Sequence, residues 1–304
     1  MSQSTSNFVT AFWGNVSSIE AELFVQANDA SVAILSGHVS GPFCSATRTL
    51  SAQYKLYAYA DKGPQFFKAV LPDPCFWAPG FPFLYQAEIN ICVSGEGETS
   101  ESFPLGIRPL TIRGHDFLYA GRRYVMRIVD VPQLVETSDH QEALFDVCLE
   151  TGSVLFLRTP KESICQHATQ KGVLLTVQVE STNPEHVLSE LKQYARWPAV
   201  GMVILSADLV LGTPLDLPAA SLVRAVAYRR GQKVPPWAQV LIVDENSLAA
   251  DFPVGKNLPQ MVFCRMESEA SIAVARRVCD DLQGRTAAWP QIAGYMASSS
   301  GALY

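Results

Sequence analysis

The chain has 304 residues, a length that suits two domains or one large barrel, and 48% of them are hydrophobic, enough for sizeable cores. A net charge of −6 with no dense Lys/Arg cluster argues against nucleic acid as a partner, and no apolar run is long enough to span a membrane. The seven cysteines are scattered, odd in number and without a C-x-x-C pair, which favours reduced thiols in a cytoplasmic setting over a disulfide framework.

Residues 1–8 are polar, are expected to be disordered and show no signal-peptide pattern. From Phe8 to about Ile112 the pattern is β. Ile19, Ala21, Leu23 and Val25 alternate with polar positions, as on a half-buried strand. Similar runs occur at 33–39, 46–59, 65–70, 84–93 and 107–112, separated by turn material such as Asp61-Lys62-Gly63-Pro64 and Ser94-Gly95-Glu96-Gly97. About seven short strands without helical periodicity predict an immunoglobulin-like antiparallel β-sandwich over residues 9–113. Within it, Asp73–Tyr85 holds three prolines and five large aromatics. Proline forbids a helix there, and so much aromatic surface calls for a core.

After Gly114 the period changes. Six apolar runs, at 124–129, 154–157, 173–179, 200–205, 240–243 and 261–264, alternate with helical segments. Ser138 with Gln141 forms a capping box, Thr159-Pro160 and Asn183-Pro184 open two further helices, and Ser268 is placed to cap the last. Strands apolar on both faces imply a parallel sheet wrapped by helices. Residues 114–304 are therefore expected to form a reduced TIM-type (β/α) barrel of about six β-α units, or an open sheet of the same units, since eight units usually take about 250 residues. The Gly/Ser/Ala-rich tail from Trp289 to Tyr304 gives little sign of another strand.

These motifs together resemble glycoside hydrolase family 2, the β-galactosidase, β-glucuronidase and β-mannosidase relatives. Trp77, Pro79, Pro82, Leu84 and Tyr85 stand as in the family's W-x-P-x-x-P-x-L-Y segment. Gly106-Ile107-Arg108 matches the strand that joins its sandwich to its barrel. The run Phe117–Arg127 resembles the approach to the first barrel strand, and Leu157-Arg158-Thr159-Pro160 the second. Trp197-Pro198-Ala199-Val200 followed by Leu205-Ser206-Ala207-Asp208 is in register with the fourth strand, which in the family ends in an Asn-Glu pair. The resemblance spans roughly residues 15–210. It implies a sandwich followed by a barrel, with a general acid/base after strand four and a nucleophilic glutamate on strand seven.

The departures bear on function. Ala207 and Asp208 stand in place of the Asn-Glu pair. Retaining hydrolysis needs two carboxyls about 5–5.5 Å apart. An aspartate draws back by about one C–C bond, and a displacement of about 1 Å can cost on the order of a hundredfold. Only Glu267, after 261–266, offers itself as the second carboxylate, and only if the barrel is shortened. Polar residues at the strand ends mark the mouth of a barrel: Asp130, Arg158, Glu180, Asp208, Asp244 with Glu245, and Glu267. They form an acidic ring with one arginine, suited to a polyol, an amine or a divalent cation. The alternative is that these carboxylates cap helices and solvate loops. Short strand-to-helix connections, apart from 209–218 and 245–259, leave little wall for a sugar pocket.

No G-x-G-x-x-G, P-loop or G-x-S-x-G motif is present, and no histidine has metal-ligand spacing, so no cofactor or metal is expected. The reading is a glycoside-hydrolase-like pseudoenzyme that binds carbohydrate or protein. The alternatives are an active glycosidase using Asp208 with a second carboxylate such as Glu267, and a structural scaffold. An incomplete barrel would also leave unpaired edges for a homodimer or another protein partner to cover.

Overall fold

The computed structural model describes residues 3–5, 8–59, 65–130, 138–210, 222–229, 231–248, 258–267 and 270–299. The chain forms two compact units. One holds the residues up to Arg108 together with Lys192–Pro198, and the other holds most of the rest from Pro109 onward.

The first unit is an antiparallel two-sheet sandwich. Its strands are β1 (Gln3–Thr5), β2 (Val9–Val16), β3 (Glu20–Ala27), β4 (Val32–Phe43), β5 (Ala52–Lys55), β6 (Tyr57–Ala58), β7 (Phe66–Pro72), β8 (Leu84–Val93) and β9 (Gly97–Leu105). The sheet orders are β1-β2-β3-β7-β6 and β5-β4-β8-β9. Nine strands thus replace the seven expected. The 46–59 run divides into β5 and β6. Residues Gln3–Thr5, expected to be disordered, pair with Thr10–Phe12 as an edge strand. Period-two alternation sends Ala21, Leu23, Val25 and Ala27 of β3 inward. Tyr85, Ala87, Ile89, Ile91 and Val93 of β8 point into the same core. The Asp73–Tyr85 segment is irregular, with Trp77 and Tyr85 fully buried and Phe81 exposed. Ala78 and Phe81 exchange backbone hydrogen bonds across Pro79-Gly80. Gly80 has φ +77°, the left-handed second corner that a type II turn needs after proline.

Gly106 and Arg108 have physical reasons. A Cβ on Gly106 would lie 2.5 Å from Pro198 Cγ. The buried Arg108 donates from Nη1 to the carbonyls of Trp197 and Pro198 at 3.2 and 3.0 Å.

The second unit begins with a three-stranded sheet, β10 (Leu110–Arg113), β11 (Asp116–Tyr119) and β12 (Arg122–Tyr124). A closed parallel barrel of eight strands follows: β13 (Met126–Asp130), β14 (Val154–Arg158), β15 (Leu175–Gln178), β16 (Val200–Leu205), β17 (Val223–Tyr228), β18 (Val240–Asp244), β19 (Gln260–Arg265) and β20 (Ile292–Ser298). The expectation of six β-α units is corrected by β17 and β20. The first is interrupted by Arg224, so it does not read as an apolar run. The second is built of Ile-Ala-Gly-Tyr-Met-Ala-Ser, yet all seven residues are buried. Its small residues fit the seam of the barrel: a Cβ on Gly294 would meet the Met126 carbonyl oxygen at 2.7 Å.

Four helices are described: α1 (Ser138–Thr151), α2 (Glu162–Lys171), α3 (Pro184–Ala195) and α4 (Ile272–Thr286). Asn183 caps α3 as expected, its Oδ1 accepting from Glu185 N and His186 N at 3.0 and 3.2 Å. Two caps are corrected. Helix α2 starts after Lys161, because Thr159 has φ +36° and cannot lead into a helix. Helix α4 is capped by Ser271, whose Oγ accepts from Val274 N, while Ser268 lies outside the described residues.

Candidate functional site

In a parallel barrel all strands end on one side, so the polar residues at those ends share one mouth. Asp130, Arg158 and Asp244 are the last residues of β13, β14 and β18. Glu180, Asp208 and Glu267 follow β15, β16 and β19 within three residues. Rather than a continuous ring, they fall into separate groups.

The first group joins strands one, two and eight. Asp130 is 2% exposed; its Oδ2 accepts from Ser298 Oγ and lies 3.5 Å from Arg158 Nη2. The Arg158 guanidinium also lies over the Phe156 ring, 5.1 Å from its centre. A buried carboxylate needs such partners to offset its lost hydration, and Arg158 supplies the neighbouring charge.

The second group lines an open cleft of about 610 Å³ at the ends of β15, β16 and β17. Glu180, Asp208, Arg229, Gln178 and Gln232 provide its polar wall, with Ile204 and Leu205 among its apolar residues. Asp208 sits in a tight turn: its N–H donates to Ser206 Oγ at 3.3 Å and Leu209 N–H to the Ser206 carbonyl at 3.2 Å. The buried Trp237 fixes this turn by donating from Nε1 to the Leu209 carbonyl at 3.0 Å. Gln232 Oε1 accepts from Arg229 N at 3.2 Å and holds the loop that carries the arginine. On α3, burial pushes the Glu190 carboxyl above its ordinary range; His186 opposes this and Glu180 adds to it.

The third group is occupied within its own loop. Asp244 Oδ1 accepts from Asn246 N and Nδ2 at 2.8 and 3.0 Å, capping a single 3₁₀ turn. Glu245 pairs with Arg285 at 2.6 Å. Burial, first, and the neighbouring Glu245 hold the Cys264 thiol above its ordinary value.

Glu267 is exposed and is not among the described residues that line the cleft. Residues 211–221 of the loop after the fourth strand, and residues 249–257 of the loop after the sixth, lie outside the described residues. Among the described residues no group of three or more His, Cys, Asp or Glu is placed to hold a metal ion. Sequence reasoning missed Arg229 and Gln232 because β17 was not recognised, and Ser298 because β20 was not.

No family model and no curated protein matches the chain. Solved structures do. A Lactobacillus rhamnosus β-glucuronidase aligns with a TM-score of 0.64 and 12% identity, covering 96% of this chain and 60% of that one. A Bacteroides uniformis β-glucuronidase gives 0.63 and 14%, covering 96% and 45%. A Dictyoglomus thermophilum β-D-glucuronidase gives 0.60 and 12%, covering 96% and 61%. This chain spans roughly half the length of the solved chains it matches. At such identity the likeness concerns fold, and in fold this chain is similar to the glycoside hydrolases of the β-glucuronidase type.

Proposed function

We propose that this protein is a non-hydrolytic member of the glycoside-hydrolase fold that binds a sugar or polyol in the cleft at the ends of β15, β16 and β17. The observation that carries this reading is the composition of the cleft. Residues bearing two carboxylates, one guanidinium and two amides line one hollow together with apolar residues. That is the donor and acceptor mixture a polyhydroxylated ring needs. Against hydrolysis stands the placement of acid groups. Asp208 replaces a longer glutamate, and Glu267 is outside the cleft lining, whereas cleavage needs two carboxyls flanking one glycosidic bond.

The test is a panel of aryl β-glycosides and free sugars against the purified chain and Asp208→Ala. The expected result is no turnover on any glycoside. A sugar-induced rise in melting temperature, which reports binding to the native state, should be lost in Asp208→Ala. No melting shift with any sugar or polyol would sink the binding reading.

A second reading is an active retaining glycosidase. It is favoured by the position of β19 as the seventh strand of a complete barrel. Glu267 then follows the strand on which the resemblance puts the nucleophile, with no shortening of the barrel required. Turnover by the wild type that disappears in both Asp208→Ala and Glu267→Gln would select this reading.

A further inference from the structure

The sandwich carries a second concavity, lined by residues that belong to none of the family motifs quoted above. It exists because the chain passes from β5, an edge of one sheet, to β6, an edge of the other, in a single residue. That residue, Leu56, is 2% exposed and plugs into the core. Its N–H donates to the Gly37 carbonyl at 2.9 Å. A Cβ on Gly37 would stand 2.7 Å from Leu56 Cδ1, so glycine is what lets the plug seat. With Leu56 turned inward, Lys55 and Tyr57 on either side of it must turn outward.

Two hollows adjoin at this crossing. One, of about 510 Å³, is lined by Tyr54, Tyr57 and Tyr59 with Lys55 and Lys68. The other, of about 300 Å³, is lined by Ser36, His38 and Asn90. They share Gln53 and Lys55. Tyr57 is 64% exposed, so its ring is accessible to a ligand in the hollow. Tyr59 is held in place by Lys68, whose ammonium lies 5.4 Å from its ring centre and is itself paired with Glu22. His38 lies 3.4 Å from Glu88. Lys55 lies 5.7 Å from the Tyr57 ring centre. Among the described residues neither hollow is lined by a carboxylate, on a molecule whose net charge is −6.

Tyrosine rings accept the apolar face of a pyranose, amides and hydroxyls meet its equatorial OH groups, and an ammonium selects a carboxylate. We infer that this groove is a binding site for an oligosaccharide bearing carboxylate groups, separate from the barrel cleft and independent of what the cleft does.

Isothermal titration of the full chain with tetragalacturonate, with neutral cellotetraose and hexaglutamate as comparisons, tests this. Tetragalacturonate is expected to bind more tightly than both comparisons. Tyr57→Ala should weaken it about tenfold, the scale of one stacking contact. Lys55→Ala should remove the preference for the acidic sugar and Lys55→Arg should keep it. In Asp208→Ala the binding that depends on Tyr57 and Lys55 should persist, which separates the groove from the cleft. Both altered side chains are exposed, so neither change threatens the fold. Absence of binding, equal affinity for cellotetraose or hexaglutamate, or indifference to Tyr57→Ala would each overturn the inference.

Discussion

At Glu190 a carboxylate is 16% exposed on the inner side of α3, with a solvent-exposed His186 one turn before it at 3.5 Å. Its folded pKa is raised, first by burial, then by the charge of Glu180, with His186 opposing both. A raised carboxylate pKa means that the fold favours the protonated form. The resulting loss of stability is absent below the ordinary glutamate pKa, about 4.3. It grows as pH rises through the folded value. Glu190→Gln is therefore expected to raise the melting temperature at pH 7, with the gap to wild type closing as pH falls toward about 4. A variant no more stable than wild type at pH 7 would show that the His186 pair outweighs burial. The same scale explains which site residues were legible. Asp208 could be found because the Trp197–Asp208 stretch keeps the register of a known strand. Arg229 could not, because nothing in Tyr228-Arg229-Arg230-Gly231 marks a strand end unless β17 is already recognised.

Elements were legible where burial has a period. The alternation of β3 and β8 and the runs of β16 and β18 announce themselves, and Asn183 marks the start of α3. Strand β17 conceals itself because Arg224 lies in the middle of it. Its stem is part-buried, its Nε donates to the Trp237 carbonyl at 3.1 Å, and its backbone N–H donates to Gln239 Oε1. The pairing that tolerates this charge involves residues that come later in the chain. Strand β20 conceals itself because small residues usually signal loops, whereas here they let strands one, seven and eight close on each other. Two glycines put this to the test. Gly294→Ala places a methyl against the Met126 carbonyl oxygen at 2.7 Å and Met261 Cε at 2.9 Å. It should destabilise by about 1–3 kcal/mol, the cost of overpacking. Gly284→Ala, in α4 with nothing within 4 Å of the new Cβ, should stabilise by about 0.5–1 kcal/mol through helix propensity. Urea denaturation of both variants measures the contrast. Equal effects would mean that the seam has slack.

For the whole molecule, closure is the property that the sequence concealed most. Six strands would have left two unpaired edges and a need for a partner chain to cover them. Eight strands pair all round, so the barrel itself supplies no such need, and a homodimer would have to form through another surface. Closure depends on one segment. Strand β20 pairs with β13 from Met126↔Gly294 to Val129↔Ala297 and with β19 from Gln260↔Ile292 to Arg265↔Ser298. It also supplies the Ser298 hydroxyl to the buried Asp130. Removing residues 292–304 would strip the pairing from both neighbours, expose their apolar faces and leave Asp130 with one partner fewer. Unpaired parallel edges and buried unsatisfied backbone groups are each costly, and closed rings lose their cooperativity when one strand is missing. The truncated chain should therefore lose the cooperative thermal transition of the barrel and aggregate, followed by circular dichroism and light scattering. If the chain lacking residues 292–304 melted cooperatively near the wild-type temperature, the seam would be dispensable, and the mouth that holds Asp130, Arg158 and the cleft would have to be stabilised by the remaining strands alone.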